Sequence, residues 1–287
     1  MQNISNPTKF GALEITTALP EHVVLKPMPP GFTQCFNDAG AVWMCAEPSL
    51  LIEGGDPDAS PDWQARGGDV VAVPTKPNTG NTKSAMLAGI SGLAFRPQVN
   101  CGYCIPEAMF RNGPFSLAVI YAPSTGNEPR SLVTINPINF DNYVFLTERD
   151  GVVELTDQQA SFALQQPVAQ EYGGFRLVVF SRTKQGYTLA IDGEEPVSGI
   201  SRTDTPKKDG PLLDTSGLCD LFIGCRSHRK GILKTLGQML LADVFLWPDK
   251  DILAVEQGTS PPENCAKNSP EYDLLLKYYT EVICRDI

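Results

Sequence analysis

Histidine is almost missing from this 287-residue chain, which holds only His22 and His228. Neither has a second metal-ligating residue four positions on, so a two-histidine metal helix is excluded. Spacing alone does not exclude a Ser-His-Asp site, because such triads assemble in space, but the chain has no G-x-S-x-G elbow. A Walker-type phosphate loop and a G-x-G-x-x-G after a strand are also missing. His228 lies in Arg226-Ser227-His228-Arg229-Lys230, which reads as a solvated polar turn between strands. No apolar run approaches membrane-spanning length, and the start, MQNISNPTKF, has no basic stretch leading into an apolar one. Neither a membrane anchor nor a secretory signal is therefore expected. The formal net charge is −10, with no lysine-arginine cluster to override it locally. That balance makes nucleic acid and anionic membrane surfaces poor partners.

Apolar residues and turn formers are plentiful. Hydrophobic residues make up 42% of the chain and charged ones 20%, enough to bury a core. The 24 prolines and 25 glycines are spread along the whole length, as punctuation between many short elements. Short apolar strands are predicted at Leu93 to Phe95, Phe115 to Tyr121, Leu132 to Ile135, Tyr143 to Thr147 and Val152 to Leu155. More follow at Phe175 to Ser181, Tyr187 to Asp192, Leu221 to Cys225 and Met239 to Trp247. Asp150-Gly151 and Asp192-Gly193 supply tight reversals between them. No helix interrupts the series, which excludes a parallel βαβ plan and leaves an antiparallel sandwich.

The hairpin at Phe175 to Gly193 is legible at single-residue resolution. Phe175, Leu177 and Val179 alternate with Arg176, and Tyr187, Leu189 and Ile191 alternate with Thr188, Ala190 and Asp192. In the last strand Met239, Leu241, Phe245 and Trp247 are expected on one face and Leu240, Ala242, Val244 and Leu246 on the other, with Asp243 its one charge. Taken in order, Gly92-Leu93-Ala94-Phe95, Pro114 to Val119, Tyr187 to Gly193 and Ala242 to Asp249 resemble successive strands of a laminin-G-like domain of the concanavalin A-like superfamily, over residues 90–250. The resemblance implies an all-β, antiparallel two-sheet jelly-roll sandwich followed by a short C-terminal helix. That fold hosts lectins, hydrolases, lyases and structural modules alike.

Residues 1–34, with Pro7, Pro20, Pro27, Pro29 and Pro30, are expected to form an extended arm, and 35–287 a single sandwich domain. Ser269-Pro270-Glu271 is a helix start with a hydroxyl cap, a first-turn proline and an acid at the positive end of the dipole, and opens a helix over 269–284. Leu275, Tyr278, Tyr279 and Val282 mark the face that packs on the sandwich.

Glycoside hydrolases on this fold need two facing carboxylates. The E-x-D-x-x-E pattern is absent, and Glu148 and Asp150 read as solvated hairpin acids. The basic and Gln-x-His strands of related lyases are absent too, so the expectation is that the chain is not an enzyme. Among the eight cysteines, Cys101-Gly-Tyr-Cys104 is half of a zinc ribbon that Cys35 and Cys45 could complete, but the spacing of that second pair is not a knuckle. Reduced thiols, no metal and no cofactor are expected. Trp43, Trp63 and Tyr103 fall outside the predicted strands and are the candidate sugar-stacking residues.

Lacking a recognisable active site but carrying a long arm, the chain is expected to be a structural or assembly module. The leading reading is a bacteriophage virion protein: a head decoration, fibre or tail-associated subunit. Its partners would be further copies or other virion proteins, reached through the arm, with a cell-surface glycan as a further ligand. Its place would be the virion, assembled in the host cytoplasm, or else the cytoplasm itself. The alternatives are a carbohydrate-binding lectin-like protein and, after it, a polysaccharide-active hydrolase or lyase.

Overall fold

A computed structural model describes Met28 and residues 31–53, 60–76, 83–99, 102–110, 113–124, 128–138, 143–158, 162–168, 174–183, 186–200, 218–227, 236–254 and 268–284. In chain order these form α1 (Phe32–Asp38), β1 (Val42–Cys45), β2 (Leu51–Ile52), β3 (Asp62–Gln64), β4 (Val71–Pro74), β5 (Lys83–Leu87) and β6 (Ile90–Phe95). The body continues with β7 (Tyr103–Met109), β8 (Phe115–Pro123), β9 (Arg130–Pro137), β10 (Val144–Arg149), β11 (Val152–Asp157) and β12 (Ala163–Pro167). It closes with β13 (Arg176–Arg182), β14 (Gly186–Ile191), β15 (Val197–Ile200), β16 (Leu218–Ile223), β17 (Met239–Trp247) and α2 (Pro270–Tyr278), whose last turn widens to a π-turn over Tyr279–Ile283.

The strands pair antiparallel into two sheets. The first has the order β15-β14-β13-β8-β17-β6-β5, with β1 also on β17. The second has the order β12-β11-β10-β9-β16-β7-β4-β3-β2. The fold is thus the all-β antiparallel sandwich expected from the alternation. All residues of β8 and all but Leu240 of β17 are buried, because these two strands sit centrally in a sheet covered on both faces. The predicted tight turns form as hairpin reversals with positive φ at both central residues, 52° and 73° at Asp150-Gly151 and 53° and 81° at Asp192-Gly193.

Between the sheets lies the main core, with Leu117, Val119, Val133, Leu146, Val153, Leu155, Leu189 and Leu241. A second apolar layer lies on the outer face of the first sheet, where α1 and α2 cover Ala118, Ile120, Leu177, Val179 and Phe245. Phe32 of α1 meets Tyr278 of α2 at 4.6 Å between ring centroids, and Phe36 meets Trp247 at 5.2 Å.

Three expectations are corrected by these contacts. The faces of β17 do not run through unbroken: a register shift between Leu241 and Asp243 makes Ala242 an extra residue against β8. That bulge reverses the parity, so Met239 and Leu241 share the inner core with Val244 and Leu246, while Phe245 and Trp247 join the outer layer. Residues 31–34 belong to α1 and its Gly31 N-cap rather than to an extended arm; of the rest of 1–34 only Met28 is among the described residues. Glu148 is not a solvated hairpin acid. It is 3% exposed.

Candidate functional site

Glu148 is buried because the alternation of β10 turns it inward, at the rim where β8 ends and β9 and β13 begin. Its Oε1 accepts a hydrogen bond from Arg176 at 2.5 Å and lies 3.4 Å from Arg130, and its Oε2 accepts one from the Tyr121 hydroxyl at 2.7 Å. Arg130 also donates to the carbonyls of Gln238 at 2.8 Å and Ser124 at 3.1 Å. Burial, reinforced by the negative charge of Glu148, holds the Tyr121 phenol well above its ordinary range, so it stays a donor. This saturated network ties four strands together and leaves Glu148 no free lone pair aimed at solvent. Its geometry is that of an internal clamp between the sheets.

The opposite side of β10 is where open chemistry is found. Phe145, Thr147, Glu154 and Thr156 alternate with the inward Val144, Leu146, Val153 and Leu155, and so lie on the outer face of the second sheet. Phe145 is half-buried, with Tyr143 edge-on at 6.2 Å between centroids. The guanidinium of Arg226, three residues past the end of β16, lies over the Phe145 ring at 4.6 Å from its centroid. Beside it, Glu154 on β11 faces Gln165 on β12 in register and accepts a hydrogen bond from the Gln165 amide at 2.8 Å. Burial pushes the Arg226 guanidinium down from its usual value, the Glu154 carboxylate pulls the other way, and an arginine stays cationic through the whole working range. Among the described residues this guanidinium makes no hydrogen bond or ion pair, and its Nε is buried without an acceptor. A planar cation oriented by a ring, next to an acid-amide pair, can donate in parallel to two oxygens of one ligand.

The three rings proposed for sugar stacking are not available for it. Trp43 on β1 is 3% exposed, sandwiched by Arg66 at 4.7 Å and Phe245 at 5.4 Å, and its indole N–H donates to Asp243 at 2.8 Å. Trp63 and Tyr103, on β3 and β7, are fully buried and pack edge to face at 5.7 Å between the sheets. The physical reason is that each lies on a short strand that the sequence pattern did not reveal, so its ring points into a core. The four-thiolate site fails likewise. Cys35 is part of α1 and Cys45 of β1, both in the layer on the outer face of the first sheet, and Cys104 belongs to a small cluster with Phe222 and Cys225 beyond the second sheet. Cys101, His22 and His228 lie outside the described residues. None of the six described cysteines is joined to another in a disulfide, and no group of three metal-ligating side chains converges among the described residues. The signal for Phe145 was present in the alternation of Tyr143, Phe145 and Thr147, whereas Arg226 lies in a polar turn that no pattern singled out. That these face outward depends on which way the strand is turned.

No family model and no curated protein matches this chain. Solved structures do. A chain of Trypanosoma rangeli sialidase in complex with sialic acid superimposes with a TM-score of 0.54 at 16% identity, over 85% of this chain and 33% of the sialidase chain. A domain of an extracellular arabinanase from Geobacillus stearothermophilus, in complex with arabinotriose, gives a TM-score of 0.49 at 12% identity, over 71% of this chain and 90% of that domain. A Caenorhabditis elegans galectin gives 0.34 at 15% identity, over 53% of this chain and 93% of the galectin. The chain spans about a third of the length of the sialidase it matches. The sialidase superpositions, at TM-scores of 0.54 and 0.53, establish a shared β-sandwich fold. They also correct the expectation that the chain is not an enzyme: its sandwich recurs within a sialidase chain, the fold is compatible with a glycoside hydrolase, and the exclusion does not stand.

Proposed function

We propose that this chain is a carbohydrate-binding, lectin-like β-sandwich protein that takes its glycan on the outer face of the second sheet, at Arg226. The observation that carries this reading is the Arg226 guanidinium, oriented by Phe145 and free of hydrogen bonds among the described residues. Paired sugar oxygens, either vicinal hydroxyls or a carboxylate, match its parallel N–H donors. Glu154 and Gln165 add an acceptor and a donor next to it. The fold likeness to a chain solved with sialic acid supports the glycan reading over virion assembly, which leaned on the arm at residues 1–34. Kinship with laminin-G-like domains in particular is the finer part of this proposal, and it rests on the order of the strand motifs over residues 90–250.

Screening the protein on a glycan array and titrating the best ligands by calorimetry tests the reading. Arg226→Ala is expected to weaken binding by about 10- to 100-fold, the size of one lost charge-assisted contact, with Arg226→Lys between the two. Equal affinity in all three proteins, or no saturable binding to any glycan, would remove the site. The glycans that bind are then incubated with the protein and assayed for released sugar. Release would make this face part of an enzyme.

A further inference from the structure

A second feature lies on the other side of the molecule, in the helical layer. A cleft of about 420 Å³ opens between α1 and the first turn of α2, lined by Gly31, Gln34, Cys35, Asp38, Lys250 and Glu271 among others. We propose that this cleft binds a small organic cation, recognised through an ammonium group.

The Glu271 side chain is only 8% exposed, unusual for an acid in the first turn of a helix. Its Oε1 accepts from the Lys250 ammonium, while its Oε2 is buried and has no hydrogen-bond partner among the described residues. A buried carboxylate oxygen without a donor is destabilising, and a ligand N–H would satisfy it. Ser269 caps α2 by accepting from the Tyr272 amide at 3.2 Å, so it is Ser269, not Glu271, that supplies the side-chain cap. Across the cleft the Asp38 carboxylate is held by the Gln34 amide at 2.6 Å. Asp38 and Glu271 against Lys250 leave the lining one negative charge in excess, which suits a cation. Cys35 adds a neutral thiol, kept so by burial and by the negative charge of Glu271. The volume falls within the range of small-molecule sites, roughly 300–1,000 Å³. A bare metal ion is poorly served, since no three ligating side chains converge among the described residues.

The test uses the full chain and putrescine, ethanolamine and glucosamine, with butanediol, ethylene glycol and glucose as uncharged counterparts. Alkylation of Cys35 by N-ethylmaleimide, read by mass spectrometry, reports on the cleft; Cys284, a half-buried thiol outside the lining, is the internal control. At millimolar concentration at least one amine is expected to slow Cys35 alkylation about tenfold or more, corresponding to at least 90% occupancy. The counterparts and the Cys284 rate should change nothing. Glu271→Gln, which keeps shape and removes charge, is expected to raise the apparent Kd about tenfold or more, and Asp38→Asn, which leaves the Lys250 pair intact, by a smaller factor. Should Glu271→Gln unfold, Asp38→Asn and the wild-type protection data still decide. Equal protection by amines and their counterparts, protection of both thiols alike, or no protection by any amine would overturn the proposal.

Discussion

Asp243 shows how much a single side chain can carry here. It is fully enclosed where the bulge in β17 turns it toward the helices, and its two oxygens accept from the Trp43 indole at 2.8 Å and the Tyr278 hydroxyl at 3.0 Å. Burial raises its pKa from 3.8 to about 6, although those hydrogen bonds, one from Cys45 and the charge of Arg66 oppose the shift. A carboxyl with a raised folded-state pKa contributes stability that is fully present below about pH 4 and is lost as the pH rises through 6. The effect is on the order of 3 kcal/mol for a shift of that size. Asp243→Asn should therefore gain stability relative to the wild type between pH 4 and pH 7.5, measured as the difference in urea midpoints. A difference that stays flat with pH would show that the carboxyl titrates normally, and one that shrinks as the pH rises would mean that folding lowers its pKa. Glu148 is enclosed together with its cations, Arg176 and Arg130. Glu148→Gln leaves Arg176 and Arg130 without their shared acceptor charge and is expected to cost about 3–5 kcal/mol in chemical denaturation. A loss below 1 kcal/mol would mean the clamp is solvated.

At the scale of elements, the strands that were legible are those whose apolar residues alternate against a clear partner. β8, β10, β11, β13, β14 and β17 all belong here, as does α2 with its Ser-Pro-Glu start. The missed ones carry a local contradiction. β7 contains Pro106 and a residue of positive φ, Glu107 at 51°, whose N–H turns to the Asp220 carboxylate instead of the ladder. β12, read ALQQP, buries Leu164 and Gln166 against exposed Ala163 and Gln165, so polarity does not follow its faces. α1 is seven residues long and its N-cap is a glycine that makes no side-chain cap, so its buried Phe32 and Phe36 are its main anchors. α2 is tied in by its cap residue: Ser269 accepts from Tyr272 and donates to the Ile252 carbonyl at 2.7 Å. Ser269→Ala is expected to cost about 1–2 kcal/mol, the upper part of the capping range, because a buried carbonyl also loses its donor. A change within 0.5 kcal/mol would show that water replaces both bonds.

The whole molecule is a sandwich with one helical layer, and its two outer faces differ in kind. The first sheet is covered by α1 and α2 over an aromatic cluster, with the cleft beside Glu271 open between the two helices. The second sheet presents Phe145, Arg226, Glu154 and Gln165 on its outer face, the geometry on which the glycan proposal stands. Circular dichroism should be dominated by β signal with under ~15% helix, against a general average near 30–35%. Titration with a thiol reagent in denaturant, without reductant, should find at least the six described cysteines reactive. A smaller number would place disulfides where the geometry has none. No helix among the described residues is long and apolar enough to cross a membrane.

Period-two alternation, glycine-bearing turns and the capping signal at Ser269 are properties of neighbouring residues, and they determined an antiparallel all-β sandwich with a terminal helix before any contact was known. Burial of Trp43, Trp63 and Tyr103, the reversal of faces at Ala242 and the enclosure of Glu148 by Tyr121, Arg130 and Arg176 were decided only by the tertiary structure. The reason is range. Trp43 meets Asp243 across 200 residues and Tyr121 meets Glu148 across 27. One extra residue in a strand inverts every side chain beyond it, and no local pattern records which strand will lie opposite.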